Sequence, residues 1–398
     1  MVTEATETAD ASRRIRLGMV GGGQGAFIGG VHRMAARLDD RYELVAGALS
    51  SDAARAAASA ADLHISASRS YADYREMARA EAARPDRIDA VAIVTPNHLH
   101  APIATAFLQA GIHVICDKPL TTSLAQALAL VKSVEQSGCL FALTHNYSGY
   151  PMVRQAREMV ANGELGHIRV VQAEYPQDWL STKLEDTGQK QALWRADPAQ
   201  AGAGGSLGDV GTHAEHLVRF ISGLELASVS ADIHSFVLGR NLDDNAHVML
   251  RYTNGARGML WSSQVAPGNE NALRVRIYGS KAGLEFSQEN PNQLWFTPLG
   301  ETRQLITRAG SGNGAAAAYA TRIPAGHPEG YLEGFAQIYR DMAEQIQAHW
   351  QGRAPDSKAC WVPTVQDGAL GMKFIEAVVA SSKADGRWMD ARLSTSSQ

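Results

Sequence analysis

The sequence predicts an α/β protein in two parts. The first is an N-terminal Rossmann domain on a doubly wound parallel sheet, and the second a C-terminal α/β domain with an open, largely antiparallel sheet. Three observations carry this reading. Short apolar runs alternate with helical stretches over residues 15–147, the rhythm of a right-handed parallel sheet. The first run, Ile15–Val20, ends in glycines, as the first strand of a nucleotide-binding unit does. Over Val229–Ile306 the pattern changes to side-chain alternation with tight turns.

Residues 1–14 read as a polar, disordered leader. Ile15–Val20 is the first strand, and a helix follows the glycines through Val31–Leu38. Tyr42–Leu49 is the next strand, and alanine-rich Ala53–Ala61 is helical by propensity. Ile88–Val94 counts as the fourth strand. It precedes a helix over Ala101–Ala110 that Gly111 stops. His113–Cys116, a helix over Ser123–Ser137 and a strand over Leu140–Thr144 complete about six repeats. In the second domain, 148–398, a helix covers Pro151–Asn162 and a strand Ile168–Tyr175. Further strands cover Val248–Tyr252, Ala256–Gln264, Arg274–Tyr278 and Leu294–Thr297, with Asn254-Gly255 as a hairpin turn. The glycine-rich 309–318 reads as a mobile insert. Helices over Gly330–Gln351 and Thr364–Ser382 close the chain.

Composition narrows the function. Of 398 residues 45% are hydrophobic and 20% charged, a mix that buries a core. The 41 acidic and 37 basic side chains leave a formal charge of −4, without the basic excess that nucleic acid demands. Three scattered cysteines form no CxxC pair, so a disulfide framework is not expected and a reducing, cytoplasmic setting fits. No run of roughly 18 apolar residues points to a membrane.

Four stretches carry chemistry. The turn Gly21, Gly22, Gly23, Gln24, Gly25, Ala26, Phe27 and Ile28 lets backbone approach a pyrophosphate at a helix N-terminus. Its spacing is about three residues wider than GxGxxG. At the second strand's end, if Ser50 is the last strand residue, Ser50 and Ser51 stand where the ribose-binding acid usually does and Arg55 lies one turn on, while Asp52 stays within reach of the ribose as the alternative. That pattern accepts NAD(P) with a slight lean to NADP, since a carboxylate repels a 2′-phosphate. Thr95, Pro96, Asn97 and His100 of TPNHLH follow a strand's carboxyl end, and so do Asp117 and Lys118 of DKPL; both loops therefore border the cofactor. In the second domain, Trp194-Arg195 precedes Gly204-Gly205-Ser206-Leu207-Gly208-Asp209, where Asp209 and His213 stand four residues apart on one helix face. A metal site from Asp209, His213 and His216 is a rival use of the same residues.

Together the glycine turn, TPNHLH (95–100), DKPL (117–120) and GGSLGDVGTH (204–213) resemble the glucose–fructose oxidoreductase, inositol dehydrogenase and rhizopine catabolism (Gfo/Idh/MocA) family, over about residues 15–380. The resemblance implies the two-domain fold named above. It also implies NAD(P)-dependent oxidation or reduction of a secondary alcohol carbon on a sugar, cyclitol or related polyol, and a homodimer or homotetramer paired through the C-terminal sheet. By resemblance Lys118 matches the lysine of the family's EKP motif, and Asp209 and His213 its DxxxH pair. Asp117 stands where glutamate is commoner, and Ser148 where many members carry arginine. The tract His327–Tyr331 also looks like sugar-directed members and is expected to cover the pocket.

Removing a hydride and a proton from CH–OH needs a base beside the dinucleotide. His213 is assigned that role, with Asp209 orienting it and Lys118 stabilising the alkoxide; a lysine amine and an imidazole are also able to exchange roles. His145, Tyr147, Trp194 and Arg195 are the expected substrate walls and hydroxyl partners. Two rivals remain at this stage: an NAD-assisted lyase or glycosidase step, and a non-catalytic NAD(P)-sensing protein.

Overall fold

The computed structural model describes residues 13–393. Most of the expected leader lies outside the described residues; Arg13, within them, forms a paired hydrogen bond to Asp89 at 2.7 and 2.8 Å.

The first lobe runs β1 (Ile15–Gly21), α1 (Phe27–Leu38), β2 (Tyr42–Ala48), α2 (Ala53–Asp62), α3 (Tyr74–Ala82), β3 (Ala90–Val94), α4 (His100–Gln109), β4 (His113–Cys116), α5 (Leu124–Ser137) and β5 (Phe141–Leu143). Its sheet is parallel and five-stranded, in the order β2-β1-β3-β4-β5. All of β3, AVAIV, is buried, as a strand covered by helices on both faces must be. The sixth repeat contracts to a single parallel bridge, Gly47 to Ser70, on the edge of β2. Between β2 and β3 the chain instead carries the helix α3, which the sequence reading passed over. Side chains cap the helices where the sequence offers them: Asp52 accepts from Arg55 N, Asp73 from Arg75 N and Glu76 N, and Ser123 from Gln126 N.

The second lobe follows with α6 (Pro151–Ala161), β6 (Ile168–Pro176), the short helices α7 (Lys190–Arg195) and α8 (Pro198–Ala201), and α9 (Thr212–Ser222), which a π turn over Leu207–Gly211 introduces. Then come β7 (Leu226–His234), β8 (Asn245–Tyr252), β9 (Arg257–Ser263), β10 (Arg274–Gly279), β11 (Ala282–Ser287), β12 (Gln293–Pro298), β13 (Gln304–Thr307), α10 (Ala315–Ala320), α11 (Tyr331–Trp350), α12 (Val365–Lys383) and β14 (Met389–Asp390). The nine-stranded sheet is ordered β13-β12-β11-β10-β6-β9-β8-β7-β14. Only β6 and β9 pair in parallel; the other pairs are antiparallel. Alternate residues of β8 are buried, so one face packs on helices and the other is open. Asn254-Gly255 turns β8 into β9, with Gly255 at φ +91°.

The glycine-rich stretch 309–318 is not a mobile insert. Gly314 N donates to Gln155 Oε1 at 2.7 Å and Ala316 N to Glu158 Oε2 at 2.9 Å. These bonds dock α10 on α6, with Ala316, Ala317 and Ala320 buried. Its small residues permit close packing rather than disorder: a Cβ at Gly314 would lie 2.3 Å from Glu158 Oε2.

Helix α11 returns to the first lobe and packs along α1. His32 Nδ1 and Tyr339 Oη are 2.7 Å apart, and Tyr42 Oη donates to Tyr339 O at 2.8 Å. The same helix is held to α6 by a fully buried ion pair between Arg154 and Asp341. Gln337 Nε2 donates to the second carboxylate oxygen of Asp341 at 2.6 Å. No helix among the described residues is long and apolar enough to cross a membrane.

Candidate active site

One cleft of about 820 Å³ runs from the β1–α1 turn to the start of α9. At its nucleotide end Gly21 and Gly22 have φ of +80° and +73°, a conformation costly for any other residue. A Cβ on Gly29 would sit 2.4 Å from Gly22 Cα, and one on Gly23 would sit 2.6 Å from Leu49 O. The turn is thus packed to backbone contact on both sides. The extra residues form a turn closed by Ala26 N donating to Gly23 O at 3.1 Å, and α1 begins only at Phe27. That helix has no side-chain cap and no acid in its first turn, whereas α2, α3 and α5 are capped. Its amides and positive dipole end are therefore left for an anion. A glycine cradle with free amide donors fits a dinucleotide pyrophosphate.

Gln24, Ala26, Phe27, Ile28, Ser50, Ser51, Arg55, Thr95, Pro96, Asn97 and Asp117 line this cleft, as expected. Two expected cofactor residues do not. Gly25 faces open space outside the cleft, because the turn swings it outward. His100 is fully buried, its ring nitrogens 2.8 Å from Pro119 O and 2.9 Å from Thr95 O. It is a strut between the two loops rather than a cofactor contact. At the adenosine end Ser50 Oγ accepts from Asp52 N at 3.1 Å, and Asp52 is occupied capping α2.

At the other end the two lobes meet on one carboxylate. Lys118 Nζ donates to Asp209 Oδ1 at 3.0 Å and to its backbone oxygen at 2.6 Å. Arg195 Nε (3.3 Å) and Gln264 Nε2 (2.9 Å) donate to Oδ2. Burial alone would raise the Asp209 carboxyl, but the Lys118 and Arg195 cations outweigh it and hold the group far below the usual carboxylate range. Asp209, expected to orient His213, spends its hydrogen bonds elsewhere: among the described residues its carboxylate accepts from Lys118, Arg195 and Gln264. His213 is instead held by rings. Its centroid lies 4.8 Å from Tyr147, 5.5 Å from His145 and 6.1 Å from Tyr175. Burial, then Lys118 and His145, press its pKa well below the ordinary value, against the pull of Asp209.

Tyr147, Trp194 and Arg195 line this end of the cleft, with Arg195 stacked 4.2 Å over Trp194. His145 does not. It is buried behind the site and stacks on His216 at 4.0 Å. Its neighbours Thr144 and Asn146 face the cleft, while the tight turn closed by His145 N donating to Leu143 O at 2.8 Å leaves His145 behind it. Ser148 is buried too, donating to His145 O at 2.8 Å. His216 lies 4.0 Å from Asp367, so the histidines do not gather around Asp209 as the metal reading required. Of His327–Tyr331 only Tyr331 reaches the cleft.

Sequence reasoning missed a row of polar side chains that continues from Tyr147. Tyr147 Oη lies 2.5 Å from Tyr175 Oη, which donates to Asn271 Oδ1 at 2.7 Å, and Gln177 Nε2 donates to the same oxygen at 2.8 Å. They come from three separate segments, and no local spacing signals them.

A glycine-cradled helix end that opens onto a lysine, a carboxylate and an imidazole defines a dinucleotide-dependent oxidoreductase. The comparisons with known proteins agree. Residues 15–145 match the oxidoreductase family with an NAD-binding Rossmann fold, and 153–285 match the GFO/IDH/MocA C-terminal domain. The chain belongs to this family. It is 35% identical to the uncharacterized oxidoreductase YfiI of Bacillus subtilis, over 95% of this chain and 97% of that one. An oxidoreductase structure from Sinorhizobium meliloti is 55% identical with a TM-score of 0.87, covering 95% and 99% of the two chains. The inositol dehydrogenase homolog from Azotobacter vinelandii, solved with NADH and myo-inositol, is 35% identical with a TM-score of 0.87, covering 95% and 98%.

The buried histidines set an acid limit. Burial lowers His32 and His113 to about 4, and it also lowers His100, His145, His213 and His216. Between each folded value and about 6.5 the unfolded chain binds more protons, so stability falls as pH drops through this window. Thermal midpoints measured from pH 7.5 to 4.5 should decline steadily below about pH 6.5; a flat profile down to pH 4.5 would contradict this burial.

Proposed function

We propose that the protein transfers a hydride between NAD(P) and a secondary alcohol carbon of a sugar, cyclitol or related polyol. The observation that carries this is the meeting of Lys118 and Asp209, 3.0 Å apart, beside buried His213 in the cleft that the glycine cradle opens. When bound, the nicotinamide supplies the hydride chemistry. His213, neutral in its buried setting, accepts the hydroxyl proton. Lys118, held in place by Asp209, stabilises the developing alkoxide. Tyr147, Tyr175 and Asn271 offer donors and acceptors to neighbouring hydroxyls, and Trp194 an apolar face to the ring. The myo-inositol complex of the Azotobacter relative supports the polyol assignment.

Lys118→Ala is expected to cut turnover by about 10² or more while dinucleotide affinity stays within about threefold. Stopped-flow rates on the best substrate from a panel of inositols, aldoses and glycosides test this; a near-normal rate would misassign the lysine. Wild-type turnover should also accumulate reduced dinucleotide in step with product. Product without it would mark elimination chemistry instead.

Ser50 with Arg55 at the rim favours NADP by a small margin. Ser50→Asp should shift the preference toward NAD by about tenfold, or about 1.4 kcal/mol, since a carboxylate at the rim repels a 2′-phosphate. An unchanged NADP/NAD ratio of kcat/KM would place Ser50 away from the ribose.

We also infer pairing through the open face of the nine-stranded sheet. There Val170, Met249, Met259 and Tyr278 are 41–50% exposed on adjoining strands, an apolar patch that a lone chain would leave wet. Light scattering should give a dimer or tetramer; a monomer at micromolar concentration would refute it.

A further inference from the structure

The catalytic helix has no local cap. The helical run through the π turn and α9 starts at Ser206, whose side chain accepts nothing from the following amides. The missing acceptor comes from the β7–β8 connection, 36–38 residues away. Asp243 Oδ1 accepts from Gly205 N at 2.7 Å, and Oδ2 accepts from Leu207 N and Ser206 Oγ, both at 2.8 Å. Ser206 N also donates to Asp243 O at 2.8 Å. The approach is so close that a Cβ at Gly205 would sit 2.0 Å from that oxygen. This explains the glycine before Ser206. Asp243 itself is buried.

We propose that Asp243 is a positioning residue for hydride transfer. It fixes the height and rotation of the helix start that presents Asp209, two residues beyond Leu207, to Lys118, and presents His213 one turn later. A carboxylate placed on three donors at the positive end of a helix holds it along its axis and against rotation. Lys118 belongs to the other lobe, so an unpinned helix start would shift Asp209 and His213 relative to the amine. Displacement of about 1 Å costs about a hundredfold in rate. This inference rests on the proposed dehydrogenase reading.

The test uses the full-length protein with its best polyol substrate and the same substrate deuterated at the reacting carbon. Asp243→Asn keeps the shape but replaces one accepting oxygen with a donor. It should lower kcat about tenfold, and Asp243→Ala about a hundredfold, with dinucleotide Kd and substrate KM within about threefold. The deuterium isotope effect on kcat should rise toward its full value, because misplacement slows the chemical step. If neither Asp243 variant folds, Ser206→Ala removes a single bond and should shift kcat and the isotope effect in the same direction. Rates that fall only with the folded fraction, at an unchanged isotope effect, would reduce Asp243 to a structural cap and overturn the proposal. So would a parallel loss of dinucleotide binding. A wild-type enzyme that moves no hydride on any polyol would instead refute the underlying reading, and a crystal structure of Asp243→Asn would still read the Lys118–Asp209 distance on its own.

Discussion

The Asp209 carboxylate is the joint on which the site depends. It is reached from the first lobe by Lys118 and from the second by Arg195 and Gln264. A charge taken out of water is costly unless it is paired and fully hydrogen-bonded; here both oxygens are engaged, and the compensating cations come from opposite sides of the cleft. The pairing works in both directions. It lowers the cost of burying Asp209, and it fixes an ammonium that would otherwise roam on a four-carbon stem. Burial first, and then the Lys118 ammonium, lower the His213 imidazole, so the group that pairs with Asp209 also acts on the neighbouring ring.

The joint needs rigid lobes behind it. Helix α11 supplies them by contacting α1 through His32 and Tyr339, α6 through Arg154 and Asp341, and the cleft through Tyr331 and Phe335. The buried Arg154–Asp341 pair lies behind the site and makes no contact with its reacting groups. Its worth lies in being costly to break, since removing one partner leaves a bare buried charge at about 3–5 kcal/mol. Movement of one lobe therefore strains contacts in the other.

Local pattern made much of this visible before any coordinates. Period and punctuation placed β4 at His113–Cys116, and the small-residue helix α2 within a residue. Motifs placed Lys118, Asp209 and His213 in one cleft. The failures share a cause. His100 sits in TPNHLH and His145 just before Asn146-Tyr147-Ser148, but the direction of a side chain at a strand or helix end is decided by its neighbours. The 309–318 stretch looked mobile because alanine and glycine carry no visible anchor; the anchors are Gln155 and Glu158 on α6, which no local window contains. Tyr175, Gln177 and Asn271 were missed for the same reason.

A common logic underlies the missed contacts and the special turns. Regular elements build the lobes, but at the cleft the chain repeatedly leaves a helix end unfinished. The start of α1 has no cap and faces the nucleotide region, while the run into α9 borrows Asp243 from a distant loop. The difference is chemical. A helix start meant for an anionic ligand must keep its amides free. One that carries the partner of Lys118 is instead saturated, because a loose helix start would let Asp209 drift from the amine. The π turn extends the argument. Within it both the carboxylate and the backbone oxygen of Asp209 meet one ammonium, in keeping with the frequent placement of such turns at functional sites.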